Sequence, residues 1–413
     1  MVSLATSHHG NCNRYYRSVR ASRGIVATAL AMSVTMTVMV RSAAAEDPVP
    51  ITDRDWTLDL YRGAALGSAR IVGMGGVQVA LAEGSAGTLG NPASPAVRKA
   101  TSTNWWDWDF HLDAMEAVYA SDFDNNGRVD DGRASTTGSA GLAGMYYGWG
   151  VALVVSTQRE RLTDTSGGEM SAVATVAKFA VADTWGDETW TIGAAIRAGT
   201  LDVARVGSLF TIAGAGLEGG LLYRPHGEDL RIGATLGLPV TGRNVNVAAC
   251  DPLDCEGYIL PERVAVPWEL AFGVAWRFGP TRWNQFVGGK FRDERALVVA
   301  GDVRLVGAVA DGMGLEAFSQ NLWQRSGRDI SFGANLGAEW EPLPGRLRLR
   351  GGTYWEPGRF ADVRGRPHLT AGVEVGFLTF RFWWNKKYRL RLGLTGDFAP
   401  RFGNAGLSFG FWG

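Results

Sequence analysis

From about Trp105 to its end the chain alternates apolar with small or polar residues at a period of two, and this alternation constrains the fold most tightly. Successive side chains of a β-strand point to opposite faces, so a strand buried on one side produces this pattern and a helix does not. Trp106, Trp108, Phe110 and Leu112 alternate with Asp107, Asp109, His111 and Asp113. Trp190, Ile192, Ala194 and Ile196 alternate with Thr191, Gly193, Ala195 and Arg197. The longest run places Val266, Trp268, Leu270, Phe272, Val274, Trp276 and Phe278 against Pro267, Glu269, Ala271, Gly273, Ala275 and Arg277. At the C-terminus Ala405, Leu407, Phe409 and Phe411 alternate with Gly406, Ser408 and Gly410, an aromatic closing strand.

A soluble sheet would carry Lys, Thr and Glu on its second face. Here that face is mostly Gly, Ala, Ser and Thr with an occasional charge, which suits the lumen of a barrel whose other face meets lipid. The expected fold is therefore all-β: a transmembrane antiparallel β-barrel of about 14 strands, and at most about sixteen by the count of alternating segments. The composition fits. Among 413 residues there are 56 Gly, 16 Trp, 18 Phe and 10 Tyr, which favours strands, tight turns and aromatic rings at membrane interfaces. Trp268, Trp276, Trp340 and Tyr354-Trp355 are candidates for such rings. A formal net charge of +0 removes the usual argument for a nucleic-acid partner.

Residues 1–45 read as a cleaved export signal: Arg14, Arg17, Arg20 and Arg23, an apolar stretch from Gly24 to Val40, then Ala43-Ala44-Ala45. The rival is an uncleaved anchor, against which stands an apolar stretch shorter than the ~20 residues of a spanning helix. Residues 46–100 then form an N-terminal plug and 101–413 the barrel. Export implies an oxidising compartment, where Cys250 and Cys255 would close a short disulfide loop; a two-cysteine metal site is the alternative, with no histidine or third cysteine nearby. The uncharged stretch Ala134 to Gln158 would score as a spanning helix, but Tyr147-Gly148-Trp149-Gly150 marks a hairpin turn inside it. Short turns such as Pro342-Leu343-Pro344-Gly345 and Pro357-Gly358 are expected on one side of the barrel, with longer loops on the other.

Before the first clear strand the texture changes to Gly67-Ser-Ala-Arg-Ile-Val-Gly-Met-Gly-Gly-Val-Gln-Val-Ala-Leu-Ala82, followed by Gly90-Asn-Pro-Ala-Ser-Pro-Ala96. Asn91 can close a turn through its side chain, Pro92 fixes φ, and Ala93 lets backbones pack closely. Gly73, Gly75 and Gly76 around Met74 permit close approach to a wall. In these residues the chain resembles the outer-membrane long-chain fatty-acid transporter family, of the FadL/TodX type, and the related PorV-like barrels. That resemblance implies an N-terminal hatch containing Gly73, Met74, Gly75, Gly76, Asn91, Pro92 and Ala93, which either shapes the plug or gates it. It also implies a lipid bilayer, a hydrophobic small-molecule ligand and the outer-membrane assembly machinery as partners.

Asp122-Phe-Asp124-Asn-Asn126-Gly127-Arg-Val-Asp130 places oxygen donors at the first, third, fifth and ninth positions of a calcium loop, with glycine at the sixth. Arg133 stands where the bidentate acid belongs, so calcium is a possible ligand of Asp122, Asp124, Asn126 and Asp130, and a polar turn is the alternative. No hydrolase or phosphate-binding motif is present, and His111, His226 and His368 are scattered. His111 among Asp107, Asp109 and Asp113 reads as part of a lumenal polar row rather than an acid-base centre. Two function classes follow: an outer-membrane channel for passive uptake of hydrophobic molecules such as long-chain fatty acids, or a non-transporting barrel acting as a structural or secretion-accessory protein. A break in one strand beside the plug, lined by apolar residues, favours the first; a sealed polar lumen favours the second.

Overall fold

A computed structural model describes residues 49–60, 67–100, 102, 106–119, 121–127, 135–242, 246–247, 250–288, 291–361, 363–382 and 386–411. The export signal, residues 1–45, lies outside the described residues, as does Asp130.

A short N-terminal strand, β1 (Thr57–Asp59), precedes the plug helices α1 (Ala69–Gly73) and α2 (Gly84–Thr88). The wall then begins with β2 (Trp106–Ala117), β3 (Thr136–Tyr146), β4 (Trp149–Thr163), β5 (Glu169–Trp185), β6 (Trp190–Ala204), β7 (Ser208–Tyr223) and β8 (Leu230–Gly237). After the short β9 (Val240–Gly242) and β10 (Arg263–Val266) come β11 (Glu269–Phe278), β12 (Leu297–Val306) and the short β13 (Gly312–Met313). Helix α3 (Leu315–Ser319) precedes β14 (Ser331–Leu343), β15 (Leu347–Glu356), β16 (Arg366–Phe382), β17 (Lys386–Ala399) and β18 (Phe402–Phe411). Each long strand pairs antiparallel with the next, and β18 closes on β2 with Phe411 opposite Phe110, giving a closed 14-strand barrel. Among the described residues no helix is long and apolar enough to cross a membrane.

The alternation seen in the sequence becomes two environments. Leu142, Leu153, Phe179, Ile196, Phe272 and Leu407 stand outward and exposed, a continuous apolar band that water would not tolerate and lipid would. Asp107, Asp109, His111 and Asp113 point inward and are buried, as the first strand's phase predicts. Tyr146, Trp149, Trp185, Trp190 and Trp340 collect outside one end as an aromatic girdle. Tyr354 does not join a girdle: it faces the lumen, 5% exposed, and stacks on His368 at 4.1 Å. Its neighbour Trp355 is the exposed member of that pair because successive strand residues change face.

The described part of the stretch Ala134 to Gln158 forms β3 and most of β4, joined through Tyr147 (φ 48°) and Gly148 (φ 87°), the left-handed pair of a two-residue hairpin. Connections 147–148, 186–189, 224–229 and 344–346 are short and share one end, here the turn end. Connections 118–135, 238–268, 307–330 and 357–365 share the other, the loop end. Pro342-Leu343-Pro344-Gly345 and Pro357-Gly358 therefore lie at opposite ends rather than on one side, because a single strand, β15, separates them. The longest alternating run is also two strands, not one: β10 stops at Val266 and β11 starts at Glu269, with Pro267 unable to donate to the ladder.

Candidate functional site

The plug fills the middle of the lumen and packs its backbone against glycines of the wall. On the inner face Gly193 of β6 is opposite Gly220 of β7, Gly233 of β8 opposite Gly273 of β11, and Gly337 of β14 opposite Gly352 of β15. A Cβ at Gly193 would lie 2.1 Å from the Pro92 carbonyl oxygen, and one at Gly337 2.1 Å from that of Met74. The small second face of the alternation is thus the imprint of the plug.

Asn91 is fully buried and closes the plug on itself and on the wall. Its Nδ2 donates to the Val79 carbonyl (2.9 Å) and the Leu221 carbonyl (3.2 Å), while its Oδ1 accepts from the Ala93 amide (2.9 Å). Gly75 and Gly76 turn the chain with φ of 66° and 75°, after α1, where a side chain would be strained. The Gly75 amide donates to Thr370 Oγ1 (2.9 Å) and its carbonyl accepts from Asn335 Nδ2 (2.9 Å). Met74 is wholly buried between α1 and β14–β15. The structure therefore brings all seven plug residues, Gly73 to Gly76 and Asn91 to Ala93, into one packed body.

Wall carboxylates that sequence reading did not connect to the plug hold its backbone amides. Asp113 accepts from Ala69 N at 3.0 Å, Asp109 from Ser85 N at 2.7 Å, and Asp302 from Gln78 N and Val79 N at 2.6 and 3.0 Å. Each stands where helix or turn amides lack an intrachain partner. His111 Nδ1 lies 2.9 Å from Ser85 Oγ, so it belongs to this clasp. Lys178 bridges the Leu89 carbonyl (2.8 Å) and Glu218 (2.9 Å). An inward-phased charge on a strand was the available signal for all of these.

Above and below the plug the lumen differs. At the turn end a cavity of about 890 Å³ is lined by charges and rings. The described residues of loop 279–296 fold into it, so that Arg231 stacks on Trp283 (3.9 Å), Arg98 on Phe286 (4.1 Å) and Arg389 on Phe291 (4.2 Å). Arg389 grips Asp293 with both terminal nitrogens, at 2.6 and 2.9 Å, and this bond holds the Asp293 carboxyl below its ordinary range. At the loop end, by contrast, Leu162, Met170, Leu201, Phe210 and Ile212 of the wall pack against Trp56, Leu58, Leu260 and Phe318 in one buried apolar cluster. Beside that cluster two wall strands are interrupted, although Leu238 N still donates to the Leu217 carbonyl (2.8 Å) and Thr241 again pairs opposite Ala215. β8 stops at Gly237, both Leu238 and Pro239 are exposed, and β9 resumes at Val240. The neighbouring break at Pro267 lies at the same height, since Gly237 is opposite Glu269 and Val240 opposite Val266.

The segment read as either a calcium loop or a polar turn is compact, with Asn125 and Gly127 at φ of 57° and 92°. Asp122 accepts from Asn126 N (3.0 Å) and Gly127 N (3.1 Å), and Asp124 Oδ1 from Asn126 N (3.1 Å). Arg366 donates to the Asp122 carbonyl and Arg401 to the Gly127 carbonyl, each at 2.6 Å, and both guanidinium groups come within 4 Å of the Asp122 carboxylate. Burial nonetheless raises the Asp122 pKa. Among the described residues no group of three or more His, Cys, Asp or Glu side chains is arranged to hold a metal. Cys250 and Cys255 are joined in the loop-end connection 238–268, with Cys255 packed in the apolar cluster beside Tyr258.

A closed 14-strand barrel with a plugged lumen and an outward apolar band has the architecture of a transmembrane β-barrel. The fold matches the toluene transporter TodX of P. putida with a TM-score of 0.52 at 14% identity, covering 85% of this chain and 99% of that one. A P. aeruginosa FadL homologue aligns over 84% of this chain and 97% of its own, at 9% identity and a TM-score of 0.49. No family model matches the sequence, and no curated protein does.

Proposed function

We propose that this protein is an outer-membrane channel for passive uptake of hydrophobic small molecules, of which long-chain fatty acids and monoaromatic hydrocarbons are the two candidate classes. The observation that carries this reading is the paired break at Pro239 and Pro267 beside the apolar loop-end cluster. Long loops face outward in outer-membrane barrels, so the apolar chamber lies on the side where external compounds arrive. A hydrophobic molecule that parts this packed cluster would be held by apolar contact, with the interrupted strands as its nearest way to lipid and the charged turn end as the poorer one. The likeness to a toluene transporter supports the fold this reading requires.

One observation favours the second reading, a non-transporting structural or secretion-accessory barrel. The plug is sealed to the wall by fully buried residues such as Asn91, Ala93 and Met74. Uptake of labelled long-chain fatty acid and of labelled toluene by cells with and without the gene separates the two. Faster uptake of either compound supports the channel, and equal rates for both sink it in favour of the second reading.

A further inference from the structure

The turn-end cavity holds more cations than its carboxylates balance. Among the described residues eleven Lys and Arg side chains line it against eight Asp and Glu. The carboxylates beside the plug are shared between guanidinium groups. Glu83, just before α2, accepts from Arg231 at 2.6 Å and from Arg70 at 3.4 Å. Glu188, in the 186–189 turn, lies 3.0 Å from Arg224 and 3.5 Å from Arg98. Arg70 also reaches Glu339 at 3.3 Å, but Arg350 holds that carboxylate at 2.6 Å. Arg292 donates to two carbonyls instead, those of Trp283 (2.8 Å) and Gln285 (2.5 Å). The carboxylate next to it, Glu294, is 4.0 Å away and already bonded to Arg277.

Sharing leaves donors over. The Nε atoms of Arg70, Arg98, Arg224 and Arg292 are buried without an acceptor, and Arg224 as a whole is only 6% exposed. Arg231 and Arg98 are held by their faces, on Trp283 and Phe286, and stacking of that kind leaves the N–H edge of a guanidinium to meet an oxyanion. Water can meet such donors. An anion does so with charge-assisted bonds roughly twice as strong as neutral ones, and it cancels the excess charge.

The size of the space narrows the ligand. About 890 Å³ is the volume of a site for a small organic molecule, far more than a bare ion fills. Val97, Val298 and the Phe411 ring give its wall apolar patches for a carbon skeleton. Asp187 and His226, exposed residues of two turns, line it as well, so it reaches the surface at the turn end. Short turns face the periplasm in outer-membrane barrels, which makes the periplasm the source of the ligand.

We propose that the turn-end cavity binds a small organic polyanion, a di- or tricarboxylate or a phosphate ester, through Arg70, Arg98, Arg224, Arg231 and Arg292. The site does not depend on the channel reading, because no hydrophobic molecule has to enter it.

Calorimetric titration of the purified protein in a non-ionic detergent tests this, with citrate, glucose 6-phosphate and uncharged glucose as probes. At low salt at least one of the two anions should bind and glucose should not, and added salt should weaken the binding. Arg292→Gln and Arg224→Gln should each weaken it about tenfold, while Arg292→Lys, which keeps the charge, should weaken it less. Arg159→Gln, at an exposed position near the loop end, should leave it unchanged. Heat-modifiability on electrophoresis shows that each variant is folded. Failure of both anions to bind the wild type overturns the site, and so does binding that neither Arg292→Gln nor Arg224→Gln alters. Inorganic phosphate binding as tightly as glucose 6-phosphate, with citrate not binding, would overturn the organic ligand and leave a site for a bare ion. Uptake of hydrophobic compounds is a separate measurement, so none of these results bears on the channel.

Discussion

At Gly193 the missing side chain is what lets Pro92 and Ala93 lie against the wall, since a methyl there would stand 2.1 Å from the Pro92 oxygen. Gly193→Ala should therefore destabilise the plugged barrel by about 1–3 kcal/mol, the usual range for overpacking a filled interior. Gly219→Ala is the control, because nothing lies within 4 Å of its position. Thermal unfolding in detergent reads both, and equal midpoints would refute the imprint. A second residue-scale effect concerns the 164–168 turn. Asp164 accepts from the Ser166 hydroxyl (2.7 Å), the Ser166 and Gly168 amides (2.8 and 2.6 Å) and Arg205 Nε (2.5 Å). These bonds, that of the Ser166 hydroxyl foremost, hold its pKa well below the ordinary carboxylate value. A depressed folded pKa contributes stability above the unfolded value of ~3.9 and loses it as pH falls from there toward the folded one. The midpoint difference between wild type and Asp164→Asn should accordingly be constant from pH 7 to 5 and shrink below pH ~4; a difference independent of pH rules this out. Single residues were legible in part. Asn91 announced a closed turn, but its bond to the Leu221 carbonyl joins segments whose distance in sequence hides their contact.

The plug elements are short, and two of them, α1 and α2, have five residues each. Helices this short do not persist in isolation, so the wall must hold them. Asp302 is the strongest test because its Oδ2 accepts two successive plug amides. Asp302→Ala leaves both amides buried without a partner, at about 1–3 kcal/mol each. The expected result is a loosened plug, seen as larger or more frequent conductance steps in planar bilayers and faster proteolysis between Gly73 and Ala93. Unchanged conductance together with unchanged proteolysis would show that Asp302 does not hold the plug. Long wall strands were readable from alternation because burial on one face writes itself into every second residue. Pro267 shows the limit. Its run kept the period, yet a proline inside a strand marks an edge or a break, and here it marks a break. β1 was illegible for another reason: three residues carry too little periodicity, and parallel pairing with β10 and β13 depends on where the whole barrel has already placed them.

For the molecule as a whole, the decisive property is the division of the lumen into a packed apolar cluster at the loop end and a charged cavity at the turn end. Composition could not reveal it, since equal numbers of basic and acidic residues, 41 each, say nothing of how they are distributed along the barrel axis. An apolar molecule crossing the turn end would strip water from Arg–carboxylate pairs without replacing it, whereas one leaving through the wall would stay in apolar surroundings. The two exits make opposite demands on mutation. If the wall is the exit, Pro239→Thr, which restores a backbone donor within the interruption, should lower uptake of labelled substrate about tenfold at unchanged barrel stability. Arg292→Gln and Arg389→Gln at the turn end should leave uptake unaltered, although the second removes the grip on Asp293. If the exit runs past the plug, the pattern reverses: the arginine variants change uptake and Pro239→Thr does not. Heat-modifiability on electrophoresis, measured alongside, keeps a folding defect from being mistaken for either result.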